Sequence, residues 1–536
     1  MSEDSKCEVC QNPAEHRCGS CHDAHYCCKE HQKIDWKNHK RNCRPFKVHS
    51  NDILGRHIKA TKGINPGDII LQENPLIWGP AQTTVPVCLG CCRAINENNS
   101  KPCSKCGWPM CSSLCEKAPC HIPECRYTVL RGDKISIRNF GITHPSYSCI
   151  TVLRILYQKQ FLPEIWKKIK QLQSHHEERK GTQKYEQERL QIAQFILKFF
   201  KLDGVFSEEE IMRVCGIVTV NSHEVPLTEP HHIAIYDKTS MFEHNCRANC
   251  SKTFSSHGGI IITAGTRIKK GDNLSICYTD PLWGTANRRH HLKESKFFWC
   301  HCSRCLDPTE SGTFFSALRC QDSNCKGYLL PKTFIDNTTN DKGFDWYCDK
   351  CPSILSSYSV QDLLDRIGKD LSEMPKGDIR ECKSFINTYE ELLHPNHFYL
   401  IDVKLALLQL IGNVNDVNEL KEIDDEDLEL NLKLCQNLIA LVRNLVPGEK
   451  RIRGLLLFKL HAAVAEAGRR KASPDIVYAS LMEAKKILQE AVDLLKHEPI
   501  ELVEGKLYKQ AVANLKELEL VIQTIHMAMG DIASPM

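Results

Sequence analysis

The sequence predicts a multidomain α+β protein, with a β-rich centre broken into pieces and an all-α C-terminal region. Three observations carry that expectation. Thirty cysteines fall largely in paired clusters that include histidines. Short β-type runs within 53–78 and 216–278 are separated by a long helical stretch, 126–215. From about residue 356 onward the apolar positions follow helical spacing. At 536 residues the chain also exceeds one compact core, because domains usually run to roughly 100–200 residues.

Composition narrows the class. Hydrophobic content is 42% and charged content 25%, ordinary for a soluble globular protein. A net charge of +4, from 70 basic and 66 acidic residues, is too balanced to announce a nucleic-acid or membrane binder. The opening segment, MSEDSKC, is polar and lacks the apolar stretch of a signal peptide. No apolar run approaches the length of a transmembrane helix. The expected setting is soluble and intracellular, in a reducing compartment. Disulfides are rare there, so the cysteines need another partner. Cys-x-x-Cys pairs mixed with His are the pattern of zinc ligation.

The first cluster offers eight ligands: Cys7, Cys10, Cys18, Cys21, Cys27, His31, His39 and Cys43. Eight ligands suit two tetrahedral ions. The spacing predicts interleaving, with Cys7, Cys10, Cys27 and His31 on one ion and Cys18, Cys21, His39 and Cys43 on the other. A segment of about 40 residues buries little core, so metal binding supplies its folding energy. The second cluster repeats the first, with Cys88, Cys91, Cys103, Cys106, Cys111, Cys115, His121 and Cys125. Its closing His-x-x-x-Cys matches His39 to Cys43, and Cys111 to Cys115 matches Cys27 to His31. Cys92 and Cys120 sit beside these ligands and could replace them. A third cluster, Cys300, Cys302 and Cys305, leaves one position for water or for a distant Cys. A fourth, Cys320, Cys325, Cys348 and Cys351, reads as a four-Cys ribbon around Gly327 and Trp346.

Between the clusters, Ile69-Ile70-Leu71 reads as a strand after the Asn65-Pro66-Gly67 turn. Gly216–Val220, Ile260–Thr263 and Leu274–Tyr278 read as further short strands. The charged stretch 173–190 reads as a solvated helix face or loop, and the acidic run Glu422–Asp427 as an exposed loop. Further on, Ala484, Ile487, Leu488, Ala491 and Leu495 share one helical face. Successive helices of this kind suggest a stacked, repeat-like array. The pairs His175-His176, His231-His232 and His290-His291 lack an accompanying carboxylate pattern and read as surface or structural histidines.

Two segments then point to a family. Glu243-His244-Asn245-Cys246-Arg247-Ala248-Asn249-Cys250 is followed by Gly271-Asp272-Asn273-Leu274-Ser275-Ile276-Cys277-Tyr278, and later by Cys300-x-Cys302-x-x-Cys305. Together these resemble the core of a SET domain and its post-SET loop. The first cluster, with Tyr26-Cys27 and Trp36-x-x-His39-x-x-x-Cys43, resembles a MYND finger. SET with MYND is the SMYD family of protein-lysine methyltransferases. The segment Phe206–Asn221, the Lys269-Lys270-Gly271 turn and Leu393-His394-Pro395-Asn396-His397 are similar to that family as well. The extra finger and the ribbon resemble its arthropod-type branch.

The resemblance implies a MYND-type finger over 1–48 and SET N-terminal strands over 49–85. A second MYND-like zinc module, 86–126, takes the place where the family's finger interrupts the SET domain. A helical insert, 127–215, the SET core, 216–282, and a post-SET region, 283–310, follow. The four-Cys ribbon, 311–355, and a C-terminal helical domain, 356–536, complete the order. The resemblance also assigns Cys246 as fourth ligand beside Cys300, Cys302 and Cys305, so about six structural zinc ions are expected.

S-adenosyl-L-methionine is the methyl donor the resemblance implies. Transfer to lysine is an in-line displacement by a neutral amine, whereas a free lysine has a pKa near ~10.4. A narrow apolar channel lowers that value, and alignment does the rest. Tyr278 matches the family's strand-end tyrosine, whose hydroxyl positions the amine. Asn221, Tyr236, His244 and Phe298 match positions around the cofactor, and Gly55 and Arg56 belong to the glycine-rich loop near the first strand. Three positions depart from the family. Glu243 stands where the family has Asn. An ionised Glu only accepts hydrogen bonds, so it suits the cofactor's ammonium and repels its carboxylate. His57 closes Gly55-Arg56-His57 where Gly-x-Gly is usual, adding bulk where backbone approaches the ligand. Ala248 replaces a proline.

The expected function is S-adenosyl-L-methionine-dependent methylation of lysine in a histone or other protein, in transcriptional regulation, in the nucleus or the cytoplasm. The alternative is a catalytically degenerate SET scaffold acting as a MYND-mediated adaptor or corepressor. Proline-rich peptides of transcriptional partners, corepressors among them, are the expected ligands of the fingers. Neither a membrane nor direct DNA binding is expected.

Overall fold

The computed structural model describes residues 6–21, 24–40, 43–335, 344–412, 419–471 and 473–532. The first module is a short hairpin, His16–Arg17 against His25–Tyr26, followed by the helix Lys29–His39. That helix buries no residue. The module's small core is made of Cys7, Cys18, Cys21, Ala24 and Tyr26, so ligation rather than an apolar face holds it together.

The β-rich centre consists of small sheets. Phe46–Asn51 pairs with Gly55–Ala60. Cys250–Phe254, Ile260–Ala264 and Ile69–Glu73 form an antiparallel sheet, and Ile77–Pro80, His232–Ile235 and His223–Val225 form another. Glu243–His244 runs parallel to Ser275–Ile276. A bridge from Lys59 to Asn273 ties the first hairpin to that pair. Ile58, Ile70, Leu71, Tyr236, Phe242, Ile260, Ile262, Leu274 and Ile276 fill the shared core.

The second zinc module is not free-standing. Trp108, fully buried, donates its indole N–H to the Thr128 hydroxyl at 3.1 Å, and it packs with Val87, Tyr147, Ile150 and Leu153 in one core with the helical insert. Within that insert the structure corrects two readings. Gly216–Val220 lies in the helix Glu208–Asn221, not in a strand. A capping box starts this helix: the Ser207 side chain accepts from the Glu210 N–H, and the Glu210 side chain accepts from the Ser207 N–H. Ile211, Met212, Val214, Cys215, Ile217 and Val218 are buried along it, so packing overrides the β preference of Val-Thr-Val. Gly216 is needed there because any Cβ would collide with the Ser174 carbonyl. The charged stretch 173–190 is also only partly solvated, since Arg179 and Glu188 form a buried ion pair within it.

The C-terminal region is a run of helices, from Ser357–Glu373 to Val503–Ile532, around one large core. The acidic run Glu422–Asp427 is not a loop. The Asp424 side chain caps the helix Asp425–Leu445, accepting from the Asp427 N–H at 2.7 Å, with Asp425, Glu426 and Asp427 in its first turn, where the helix dipole favours anions. The four-Cys ribbon, a four-stranded meander, sinks Leu318, Leu329 and Trp346 into the same C-terminal core. The helices dock on the β-rich centre through close backbone approach, because a Cβ on Gly448 would strike the Ala248 carbonyl. The Thr253 hydroxyl reinforces that contact by donating to Glu498 at 2.8 Å.

Candidate active site and zinc centres

Ligand-type residues converge in tetrads. Cys7, Cys10, Cys27 and His31 form one, and Cys18, Cys21, His39 and Cys43 another. Cys88, Cys91, Cys111 and Cys115 form a third, Cys103, Cys106, His121 and Cys125 a fourth, and Cys246, Cys300, Cys302 and Cys305 a fifth. Within each, the ligand atoms lie within 4.8 Å of one another. In the ribbon, Cys320 and Cys351 approach to 3.5 Å and Cys325 and Cys348 to 3.6 Å. A zinc ion with thiolates ~2.3 Å away holds them ~3.8 Å apart at tetrahedral corners. The separations of 3.7 Å for Cys18–Cys43 and Cys91–Cys111 and 3.9 Å for Cys246–Cys300 fit that edge. These clusters bind Zn²⁺. Cys92 and Cys120 stay outside the tetrads. The Cys120 thiol donates to the Gly90 carbonyl at 3.3 Å, and burial pushes the Cys92 thiol up to about 12.

Polar residues around the ligands escaped the sequence reading. His121 turns its Nε2 to Cys106 at 3.3 Å and its Nδ1 to Glu124 at 3.0 Å. Arg154 in turn grips Glu124 at 2.6 and 3.0 Å. Burial favours the neutral acid, but the Arg154 charge and the His121 bond prevail and hold the Glu124 carboxyl below its usual range. Such a carboxylate–histidine pair fixes the ring that ligates the metal. Near Cys246, the buried Glu310 accepts from Arg288 at 3.2 Å and Arg304 at 2.7 Å. Four thiolates on Zn²⁺ carry net negative charge, and this arginine pair offsets it.

The SET-type site lies where the parallel strand pair meets the Cys246 tetrad. The His244 Nδ1 accepts the Tyr278 backbone N–H at 3.0 Å, and its Nε2 stands 3.2 Å from Cys246 Sγ. Because Nδ1 accepts, Nε2 carries the proton and donates to the sulfur. The rings of Tyr278 and Phe298 lie 5.3 and 6.0 Å from His244. Tyr278 donates its hydroxyl to the Phe242 carbonyl, and burial, aided by Glu243, raises its pKa. It is therefore a protonated, oriented phenol and not a base.

Around this centre, Glu243 is half-buried and accepts from the Asn273 amide at 3.2 Å. Burial raises its carboxyl, while Asn273, His57, His244 and Lys59 pull the other way. His57 is buried, its Nδ1 lies 3.1 Å from the Gly55 carbonyl, and its Nε2 is a buried polar atom without a partner. Gly55 has φ +61° and open space around it. Asn221 donates to the Gln173 and Ile217 carbonyls at 2.7 and 2.9 Å. Arg56 and Tyr236 are not gathered with these groups. The Arg56 guanidinium is held by Gln171 at 2.6 and 2.9 Å, and the fully buried Tyr236 donates to the Gly258 carbonyl at 2.6 Å. A cleft of about 330 Å³ opens beside Tyr278, lined by Lys252, Ala248 and Cys277 on one side and by Glu449, Arg451 and Glu504 of the C-terminal helices on the other.

Known families match the same spans. The MYND finger matches residues 7–43, and the SET domain matches residues 55–279, a range that runs through the second zinc module and the helical insert. The chain is 24% identical over 418 residues to the SET domain-containing protein SmydA-8, isoform A, of Drosophila melanogaster, covering 76% of this chain and 86% of that protein. It is 25% identical over 427 residues to the histone-lysine N-methyltransferase ASHR1 of Arabidopsis thaliana, covering 75% and 83%. With the human histone-lysine N-methyltransferase SMYD3 it shares 22% identity over 270 residues, covering 47% and 59%. No helix among the described residues is long and apolar enough to cross a membrane. With its MYND finger, its SET domain and its post-SET zinc cluster, the chain belongs to the SMYD family of SET and MYND domain proteins, a protein-lysine methyltransferase family.

Proposed function

We propose that the chain is an active protein-lysine N-methyltransferase using S-adenosyl-L-methionine. The observation that carries this reading is the linkage from Cys246 through His244 to the Tyr278 backbone, with spacings of 3.2 and 3.0 Å, at the edge of an open cleft. A structural zinc thereby sets the position of the one phenol suited to orient an amine, and alignment is the main task in such a displacement. S-adenosyl-L-methionine, when bound, supplies the methyl group. The Tyr278 hydroxyl spends its proton on Phe242, which leaves its lone pairs for the incoming amine. The lysine of a protein substrate enters through the cleft, whose walls come from both the SET core and the C-terminal helices.

His57 and Glu243 bear on cofactor affinity together. With its Nδ1 donating to the Gly55 carbonyl, the unpartnered His57 Nε2 is an acceptor in the neutral ring, and it and Glu243 can both accept from the cofactor's ammonium. The ammonium thus meets two acceptors, although each residue departs from the family pattern when taken alone. Calorimetric titration of zinc-loaded protein with S-adenosyl-L-methionine tests the reading. Binding that weakens in Glu243→Gln supports it. An absence of binding by well-folded protein overturns it and leaves the adaptor reading. Tyr278→Phe should lower methylation of any substrate by orders of magnitude.

The finger favours a protein-binding role alongside catalysis. Its helix exposes Ile34 and Trp36, at 64% and 46%, although it buries nothing of its own. An exposed aromatic of this kind suits a proline-rich peptide in polyproline II form. Transcriptional partners carrying such segments are the proposed ligands, and a Trp36→Ala variant should lose them without losing zinc.

A further inference from the structure

The helix Thr285–Lys296 ends beside the methyl-transfer site, and Phe297 follows in the left-handed region at φ +64°. That reversal sends Phe298 toward His244 and leaves Lys296 as the last helical side chain. The Lys296 Nζ donates to the Val220 carbonyl at 2.6 Å, one residue before Asn221. It also stands 5.8 Å from the centre of the Tyr278 ring, over its face. Among the described residues no carboxylate forms an ion pair with it. Its charged and titratable neighbours are Lys252 on the strand Cys250–Phe254, Lys184 on the helix Gln183–Glu188, and Glu224 and His223 on the strand His223–Val225. An unpaired amine is thus held against the one phenol assigned to orient an amine. Lys296 is half-buried, and a lysine drawn partly out of water for a purely structural role would be expected to have a carboxylate partner.

We propose that Lys296 is a methyl acceptor in cis, a lysine that the chain presents to its own methyl-transfer site. The proposal rests on the methyltransferase reading above. The neutral Nζ lone pair attacks the sulfonium methyl of S-adenosyl-L-methionine. The C–S bond breaks with its electrons staying on sulfur, which leaves S-adenosylhomocysteine. An N–C bond forms, and the resulting ammonium releases one proton to solvent. The local electrostatics suit this step. Burial, with Lys252 and Lys184 adding repulsion and Glu224 opposing, brings the Lys296 ammonium down from 10.5 to about 8. A sizeable fraction is then neutral at mildly alkaline pH, whereas an ordinary lysine is almost wholly charged. The Val220 carbonyl can still accept from a monomethylated or dimethylated ammonium, so the product fits the same place.

The test uses the full-length, zinc-loaded protein with methyl-labelled S-adenosyl-L-methionine, intact mass and peptide mapping, alongside the calorimetric titration. The expected result is label at Lys296, accumulating at a rate per molecule that is independent of protein concentration. Lys296→Arg should lose at least nine-tenths of that label while still binding S-adenosyl-L-methionine, and Tyr278→Phe should lose it too. Cofactor binding with no label at Lys296 overturns the proposal and leaves the methyltransferase reading intact. A rate per molecule that rises in proportion to protein concentration overturns transfer in cis. Failure to bind S-adenosyl-L-methionine overturns both readings, so the two failures are distinguishable.

Discussion

Replacing Arg154 with Met tests the claim that the second zinc module is held by a buried charge pair behind its metal. Met keeps much of the side-chain length but removes every donor. Arg154 and Glu124 are 2% and 0% exposed, so solvent cannot take over the lost role. The substitution strands the Glu124 carboxylate, whose Oε1 then bonds only His121. It also removes donors from the Trp78 and Leu89 carbonyls, now bonded at 2.8 and 2.7 Å. Breaking a buried pair by deleting one partner costs about 3–5 kcal/mol. A domain of ~150–250 residues shifts its melting midpoint by roughly 2–4 °C per kcal/mol, so a fall of about 6–20 °C is expected. Loss of the grip on His121 should also weaken zinc at the Cys103 tetrad by about 10–100-fold. The assay is thermal unfolding combined with zinc release to a chromophoric chelator. Glu124→Gln combined with Arg154→Met removes both charges and should recover much of the loss, since the stranded carboxylate is the main cost. An Arg154→Met protein that melts within about 2 °C of wild type and retains its zinc equally well would falsify the reasoning.

Three further outcomes follow from the same physics. Metal analysis should return about six zinc ions per chain, and two or fewer would remove the ligand assignments. A chelator should strip the first finger before the second module, because the first has no buried helix face whereas the second is backed by Trp108. The C-terminal docking should depend on pH through Glu498, which burial raises from 4.5 to about 7. The folded state binds this proton more tightly than the unfolded state, so the contribution is full below 4.5 and fades as pH rises through about 7. Glu498→Gln should abolish that dependence in urea unfolding. A difference between wild type and variant that stays constant from about pH 5 to about pH 8 would contradict it.

How much of this could be read from the sequence depended on whether the cue was local. Zinc ligands are legible because thiolate and imidazole chemistry restricts them to short, repeated spacings, and Cys7 with Cys10 or Cys18 with Cys21 declare themselves. Cys246 is different. It stands 54 positions from Cys300, and only the family resemblance brought it in. Secondary structure failed where tertiary packing outweighed propensity, as in Val218-Thr219-Val220, which continue a capped helix that buries Val218 and the apolar residues before it. It failed again at Glu422–Asp427, where the acidic residues are largely exposed as expected but open a helix, with Asp424 as its cap and Asp425, Glu426 and Asp427 in its first turn. The supporting charges had no signature at all. Glu124 and Arg154 lie 30 positions apart in unremarkable helical sequence, and Glu310 acquires its meaning only when Arg288 and Arg304 converge on it.

The placement of the post-SET zinc gives that ion a role beyond stiffness. Cys246 belongs both to its tetrad and to the turn that follows the strand of His244, and His244 touches sulfur with one ring nitrogen and the Tyr278 backbone with the other. Removing the metal therefore does more than loosen a loop. A free thiol accepts a hydrogen bond far more weakly than a zinc-bound thiolate, so the ring loses the contact that fixes its tautomer and angle. Tyr278 then loses the acceptor that positions its backbone. The helix carrying Lys296 and the Phe298 ring enter the site just before Cys300, so the same ion also sets where the proposed acceptor amine and the aromatic wall stand. A metal without an open coordination position can in this way govern a methyl transfer in which it takes no chemical part.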